Sequence, residues 1–120
     1  MRLKNILIVV DDIERSKAFY KELFGLDVVT DFGGNVILTE GLVLQERSLW
    51  EKSLEKEIRY GGLDAELYFE ETDVDAFIQR LNNSSYPIEY VSECTENDWG
   101  LRVIRLYDPD HHIIEIAEKK

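Results

Sequence analysis

The sequence is poor in cysteine, in positive charge and in long apolar runs. Cys94 is the only cysteine, which excludes an intrachain disulfide and a zinc site built from thiolates. The 25 acidic side chains outnumber the 14 basic ones, and a formal net charge of -11 argues against binding to nucleic acid or to an anionic membrane. The apolar run at residues 6–10 is too short for a signal peptide or a membrane span. These absences predict a soluble, cytoplasmic protein.

What the sequence does contain is one order of elements, used twice. A length of 120 residues is enough for one domain with a real core. Runs of β-branched residues predict strands, and apolar residues at helical spacing predict helices. In the first half we predict a strand, a helix and three strands, over residues 6–10, 13–24, 26–32, 35–39 and 42–46. In the second half we predict the same order, over residues 66–69, 74–81, 87–92, 101–107 and 112–117, with a polar loop at 93–98.

The repeat is also visible in individual residues. The helix start at residues 12–14 is matched by residues 73–75, which lie 61 positions later, and Ala18-Phe19 recurs as Ala76-Phe77. This repeat predicts two copies of a βαβββ unit, each of which is too small to bury its sheet alone. We place the first module at about residues 1–48, a connector, with or without a short helix, at about 49–62 and the second module at about 63–120 of a single domain.

The most distinctive segment is the turn that joins the last two predicted strands. Asp108 and Pro109 are typical turn residues, and three isoleucines surround Glu115 in the strand that follows. Because side chains alternate between the faces of a strand, Glu115 shares a face with Ile113. From these residues alone, Glu115 either points to solvent or lines a cavity.

Several of these segments resemble one known superfamily. Residues 5–23 with Phe19-Tyr20, and Trp99-Gly100-Leu101-Arg102 followed by Asp108-Pro109-Asp110 and Glu115, are similar to the glyoxalase/bleomycin-resistance/extradiol-dioxygenase superfamily, the vicinal oxygen chelate (VOC) fold. The resemblance implies an α+β fold, in which two βαβββ modules form a cupped, mostly antiparallel sheet with helices on the outside. It also implies a homodimer. In the metalloenzymes of this superfamily, the first and last strands of each module supply one metal ligand each.

The resemblance places these four ligand positions on Asn5, Gln45, Glu66 and Glu115, with Leu44 as the alternative to Gln45 if the register slips by one residue. Histidine, which the metalloenzymes usually carry on the first strands, is replaced by Asn5 and Glu66. Two amides and two carboxylates suit a hard cation at best, and they do not suit zinc, nickel or iron. We therefore predict a pocket without a cofactor; the alternative is a weakly bound divalent metal ion at these four residues.

Other side chains are candidates for the ligand pocket. Tyr68 shares a strand face with Glu66. Arg102 and Arg105 are three residues apart, so on a regular strand they lie on opposite faces and at most one of them faces the pocket. Trp99 either walls the pocket mouth or packs at a strand start, and Trp50 either covers the pocket or packs on the connector. We include Arg105, Trp99 and Trp50 among the predicted ligand-binding residues. The two histidines, at 111 and 112, are assigned structural roles, and Cys94 is considered non-catalytic.

Three functions are compatible with these residues. The first is a metal-independent protein that binds a small polar molecule, in which Glu66 and Glu115 bind the ligand or act as general acid and base. The second is a divalent-metal-dependent lyase or isomerase of the glyoxalase type, or an enzyme related to the dioxygenases. The third is a non-catalytic sensor or interaction module. The partners expected are a small-molecule ligand and a second copy of the chain, with no nucleic acid and no membrane.

Overall fold

A computed structural model describes residues Met1–Lys120, which divide into two compact units, Met1–Arg59 and Tyr60–Lys120. The first unit contains β1 (Ile6–Val10), α1 (Ile13–Phe24), β2 (Val28–Asp31), β3 (Asn35–Leu38), a 3-10 turn (Thr39–Gly41), β4 (Leu42–Glu46) and α2 (Arg47–Leu54). The second contains β5 (Glu66–Glu71), α3 (Val74–Asn82), β6 (Glu89–Glu96), β7 (Arg102–Tyr107) and β8 (Ile113–Glu118). No helix has both the length and the apolar character needed to span a membrane.

Each unit forms its own four-stranded mixed sheet. The strand order is β1-β4-β3-β2 in the first unit and β5-β8-β7-β6 in the second. In both sheets the first strand pairs in parallel with the last, and the other pairings are antiparallel. The α+β class, the two βαβββ modules and the mostly antiparallel pairing predicted from the sequence are confirmed.

The two equivalent helices begin in the same way, which explains the repeat in the sequence. The carboxylate of Asp12 accepts a hydrogen bond from the Arg15 backbone N–H at 3.0 Å, and that of Asp73 accepts one from Ala76 at 3.0 Å. Such caps satisfy backbone donors that the first helical turn leaves without partners. Gly25 ends α1 in the left-handed conformation, with φ of 67°.

One segment differs clearly from the prediction. The predicted polar loop at residues 93–98 is largely strand, because β6 continues to Glu96 through pairs of Thr95 with Val103 and of Glu96 with Arg102. Tertiary pairing thus overrides the low strand propensity of Glu93 and Glu96. The connector contains the short helix that was one of its two interpretations: residues 47–54 form α2, whose first backbone N–H groups are bound by the Glu46 carboxylate.

The turn between β7 and β8 is held by a buried carboxylate. Asp108 is only 3% exposed, and its Oδ1 accepts hydrogen bonds from the backbone N–H groups of Asp110, at 2.8 Å, and His112, at 2.9 Å. His111 adopts a left-handed φ of 65° and stacks on Tyr107. The side chain of Asp108 therefore fixes the geometry at the start of β8.

We expect Asp108→Ala to lower the free energy of unfolding by about 1–3 kcal/mol, because two backbone donors in the turn lose their acceptor. Urea denaturation measures this change. Asp98→Ala, at an exposed position in the β6–β7 connection, is the control and should change stability by less than about 0.5 kcal/mol. Equal effects of the two substitutions would show that the hydrogen bonds of Asp108 do not stabilise the turn.

Candidate functional site

Strands β5, β8 and β7 bring four polar side chains to one face of the second sheet. Glu115 on β8 lies beside Tyr68 on β5 and opposite Arg105 on β7. Glu66 is two residues from Tyr68 and so shares its face. We call Glu66, Tyr68, Arg105 and Glu115 the carboxylate face. The neighbouring residues on β7 and β8 point the other way and form the core, namely Ile104, Leu106, Ile114 and Ile116.

A close ion pair lies at the centre of the carboxylate face. The Arg105 guanidinium donates to Glu115 Oε1 from Nε at 3.0 Å and from Nη2 at 2.8 Å. The Glu115 side chain is 13% exposed and that of Arg105 is 40% exposed. The carboxylate is thus largely shielded from water, while part of the guanidinium remains available to a ligand.

The other arginine of this strand has a different set of partners. Arg102 pairs with Asp75 at 2.6 Å and with Glu118 at 2.8 Å. The hydrogen bonds from Arg102 lower the pKa of Glu118 to about 2. Of the two arginines on β7, Arg105 is therefore the one that forms an ion pair with Glu115.

Glu66 is the second carboxylate of this face, and its pKa is raised. Although the residue is exposed overall, burial of its carboxyl group is the largest cause, followed by repulsion from Glu115 and a hydrogen bond with Glu115; attraction to Arg105 opposes the shift. Glu66 therefore retains its proton to higher pH than an ordinary glutamate. A carboxyl group of this kind can donate a hydrogen bond or transfer a proton.

We expect Glu66→Gln to raise the melting temperature at pH 7 by roughly 2–4 °C, a modest change because solvent screens exposed charges. Because the pKa of Glu66 is higher in the folded state than in the unfolded state, the folded state loses stability as the pH rises through that pKa. Glutamine does not ionise, so the variant avoids this loss. The gain should disappear at pH 4, where Glu66 is protonated. Thermal melts between pH 4 and pH 8 measure it, with Glu70→Gln on the same strand as control. A gain of equal size at both ends of this range would contradict the argument.

The two candidates in the first unit are far from each other. Asn5 directly precedes β1, whereas Gln45 pairs with Val9 near the other end of that strand. Asn5 and Val9 are four residues apart along the strand, which places Asn5 about 13 Å from the position of Gln45 in the strand direction. The Oε1 atom of Gln45 also accepts a hydrogen bond from Asn35 Nδ2 at 2.8 Å. The structure therefore does not bring the two amides together.

The strand register also gives the counterpart of Glu115 in the first unit. The 61-residue repeat relates Tyr68 to Leu7, and Leu7 pairs with Val43 as Tyr68 pairs with Glu115. Val43 is 4% exposed and offers no donor atom to a metal. The equivalent position is thus Val43 rather than Gln45 or Leu44, because the sequence pattern gives the face of a strand but not its register.

The residues present do not fit a bound transition metal. No three His, Cys, Asp or Glu side chains are arranged so that they could hold a metal ion. Of the four predicted ligand positions, only Glu66 and Glu115 carry carboxylates, and the Arg105 guanidinium beside them repels a cation. The pocket without a metal remains a prediction for the protein in solution.

The remaining candidates lie in other parts of their units. Trp50 is half-buried in α2, and Trp99 is 82% exposed in the β6–β7 turn, so a role for either in ligand binding stays a prediction. His112 meets the ring of Tyr60 edge-on, and His111 lies 3.1 Å from Glu89. Asn35, which donates a hydrogen bond to Gln45, could not be predicted as part of this site, because no motif in the sequence distinguishes it.

Comparison with known proteins gives matches over nearly the whole chain. An uncharacterized protein of Bacillus subtilis, YraH, is 30% identical, and the alignment covers 97% of both chains. A protein of unknown function from Agrobacterium tumefaciens is 37% identical, with a TM-score of 0.83 over 100% of this chain and 95% of that one. A glyoxalase-related enzyme from Fulvimarina pelagi has the same fold, with 19% identity and a TM-score of 0.81 over 98% of this chain and 88% of that one.

The family model for the glyoxalase-like domain matches residues 3–119. The strand order and the repeated βαβββ units agree with that assignment. The chain therefore belongs to the glyoxalase-like domain family.

Proposed function

We propose that this protein binds a small polar molecule at the carboxylate face and that it does so without a tightly bound transition metal. The observation that carries the proposal is the ion pair between Arg105 and Glu115, with Glu66 beside it. A guanidinium donates hydrogen bonds, a carboxylate accepts them, and the exposed Tyr68 hydroxyl does both. A ligand with both donor and acceptor groups is complementary to this set.

Proton transfer on the bound molecule is the second candidate function. It is favoured by the raised pKa of Glu66, which moves this carboxyl group towards the pH at which a general acid or base works best. An isomerase or lyase that uses Glu66 in this way requires no metal ligand. The metal-dependent lyase or dioxygenase-like enzyme is less well supported, since Arg105 occupies the place next to Glu115. A sensor module would use the same binding face without chemistry.

We also propose a cytoplasmic homodimer. Closed two-fold dimers are the commonest assemblies of soluble proteins. Exposed apolar side chains near the edge of the first sheet, at Val28, Val29 and Phe32, offer surface that a second copy would cover. Light scattering at micromolar concentration should give the mass of two chains, and the mass of one chain would contradict the dimer.

The test of function is an unbiased search for what the protein carries. We expect native mass spectrometry of the purified protein, incubated with a cell extract of small metabolites, to show a polar ligand that is lost in Glu115→Ala and in Arg105→Ala. Asp98→Ala is the matched control and should keep it. Elemental analysis should find no stoichiometric transition metal. Stoichiometric zinc, nickel or iron that disappears in Glu115→Ala would overturn the proposal in favour of the metalloenzyme.

A further inference from the structure

A second concave site lies on the opposite face of the same sheet. It is a cavity of about 280 Å³ between α3 and strands β6 and β7. Its lining is mostly apolar and consists of Ile78, Leu81, Tyr90, Glu93, Cys94 and Ile104. Ile104 and Arg105 are consecutive on β7, so their side chains point to opposite faces of the sheet. The cavity is therefore separate from the carboxylate face.

The cavity forms because α3 covers only part of its sheet. Leu81 and Ile104, where the helix packs on β7, are 5% and 2% exposed. In contrast, every residue of the edge strand β6 is exposed, including Tyr90 and Cys94. The pairing of β6 with β7 is interrupted by two register shifts, which bend an edge strand away from regular pairing. The side chains of β6 thus form one wall, and the helix forms the other.

The charge at this cavity is unbalanced. Glu93 is its only charged lining residue. The three arginines of the second unit pair with other carboxylates: Arg80 with Glu71, Arg102 with Asp75 and Glu118, and Arg105 with Glu115. No arginine of this unit therefore neutralises Glu93, and a cation supplied by a ligand would do so.

The volume limits the kind of occupant. Small-molecule pockets in proteins measure roughly 300–1,000 Å³, so this cavity, at about 280 Å³, lies just below that range. It suits a bicyclic aromatic ring or a branched apolar group. We propose that the cavity between α3 and β6 is a second ligand site that binds a small hydrophobic amine, whose apolar body packs on Ile78, Leu81 and Ile104 and whose ammonium group lies at Glu93.

Three probes that share one ring system test the apolar and the charged parts separately. In titration calorimetry, 1-naphthylmethylamine should bind with a stoichiometry of one per chain. Its affinity should exceed that of neutral 1-naphthalenemethanol by up to about fivefold, which is the usual range for an exposed ion pair. The anion 1-naphthylacetate should bind most weakly. Glu93→Gln should remove the preference for the amine while keeping the binding of the alcohol.

Cys94 can show whether the probe binds in this cavity, because it is the only thiol in the chain and lines the cavity. Saturating 1-naphthylmethylamine should slow alkylation of Cys94 by N-ethylmaleimide at least about threefold, since the bound ring covers the sulfur. An unchanged alkylation rate under saturation would overturn the assignment of the probe to this cavity.

Filling the cavity provides the decisive variants. Ile78→Trp from the helix and Cys94→Trp from the exposed strand should each weaken probe binding at least about tenfold, since the ring loses the space it occupies. Val91→Trp, on the same strand but outside the lining, is the matched control and should bind normally. Glu115→Gln should also bind normally. Loss of binding in Glu115→Gln, normal binding in Cys94→Trp, or no binding of any probe at millimolar concentration would each refute the site.

Discussion

Zinc is expected to raise the melting temperature of an Arg105→His variant and to leave that of the parent protein unchanged. Residues opposite each other on antiparallel strands have Cβ atoms about 4.5–5.5 Å apart, so an imidazole at position 105 would lie beside the Glu115 carboxylate. Glu66 would supply a further oxygen. Nitrogen and carboxylate ligands bind zinc well, and a zinc concentration of one hundred times the Kd would stabilise the folded state by about 2.7 kcal/mol.

Arg105→Asn is the matched control, because it removes the guanidinium without adding a nitrogen ligand. We expect it to show little response to zinc, and Arg105→His combined with Glu115→Gln should lose most of the response. Melting curves with zinc and with a chelator measure all three variants. A zinc response of the parent protein equal to that of Arg105→His would show that the guanidinium does not keep metal away from the two carboxylates.

Phe77→Ala is expected to lower the free energy of unfolding by about 3–5 kcal/mol. The Phe77 side chain is 2% exposed on α3, where Val74 and Leu81 complete the buried stripe of the helix. Truncation removes apolar contact and leaves a cavity that the surrounding side chains fill only in part. Urea denaturation followed by circular dichroism measures the loss.

Trp99→Ala provides the comparison for this substitution. Trp99 is 82% exposed, so its truncation should change stability by less than about 0.5 kcal/mol. Similar losses for the two aromatic residues would mean that the stripe on α3 does not form the core of its unit. The outcome also bears on the second ligand site, because α3 forms one wall of that cavity.

The fold could be predicted because its signals are local and occur twice. Asp12 and Asp73 cap equivalent helices, and Gly25 takes the left-handed conformation for which glycine is suited. The end of β6 could not be predicted in the same way. Its polar residues form a strand only because β7 offers them hydrogen-bonding partners. A pattern within residues 93–96 cannot reveal this pairing, because the partner residues lie elsewhere in the chain.

The candidate site could be predicted in part. Alternation placed Glu66 with Tyr68 and left Arg102 and Arg105 as alternatives, but only the pairing of Arg105 with Glu115 selects between them. The same limit applies to Gln45. Its face follows from the sequence, whereas its level along the strand depends on the pairing of β1 with β4. The cavity beside α3 left no pattern, since its lining comes from three separate elements.

The position of β8 in its sheet has a consequence for synthesis on the ribosome. β8, the last strand of the second unit, is an interior strand, hydrogen-bonded to β5 on one side and to β7 on the other. The nascent second unit therefore cannot complete its sheet until β8 has been made, whereas all strands of the first unit have been made by Glu46. Until then β5 and β7 expose unpaired edges, at which a nascent chain is prone to aggregate.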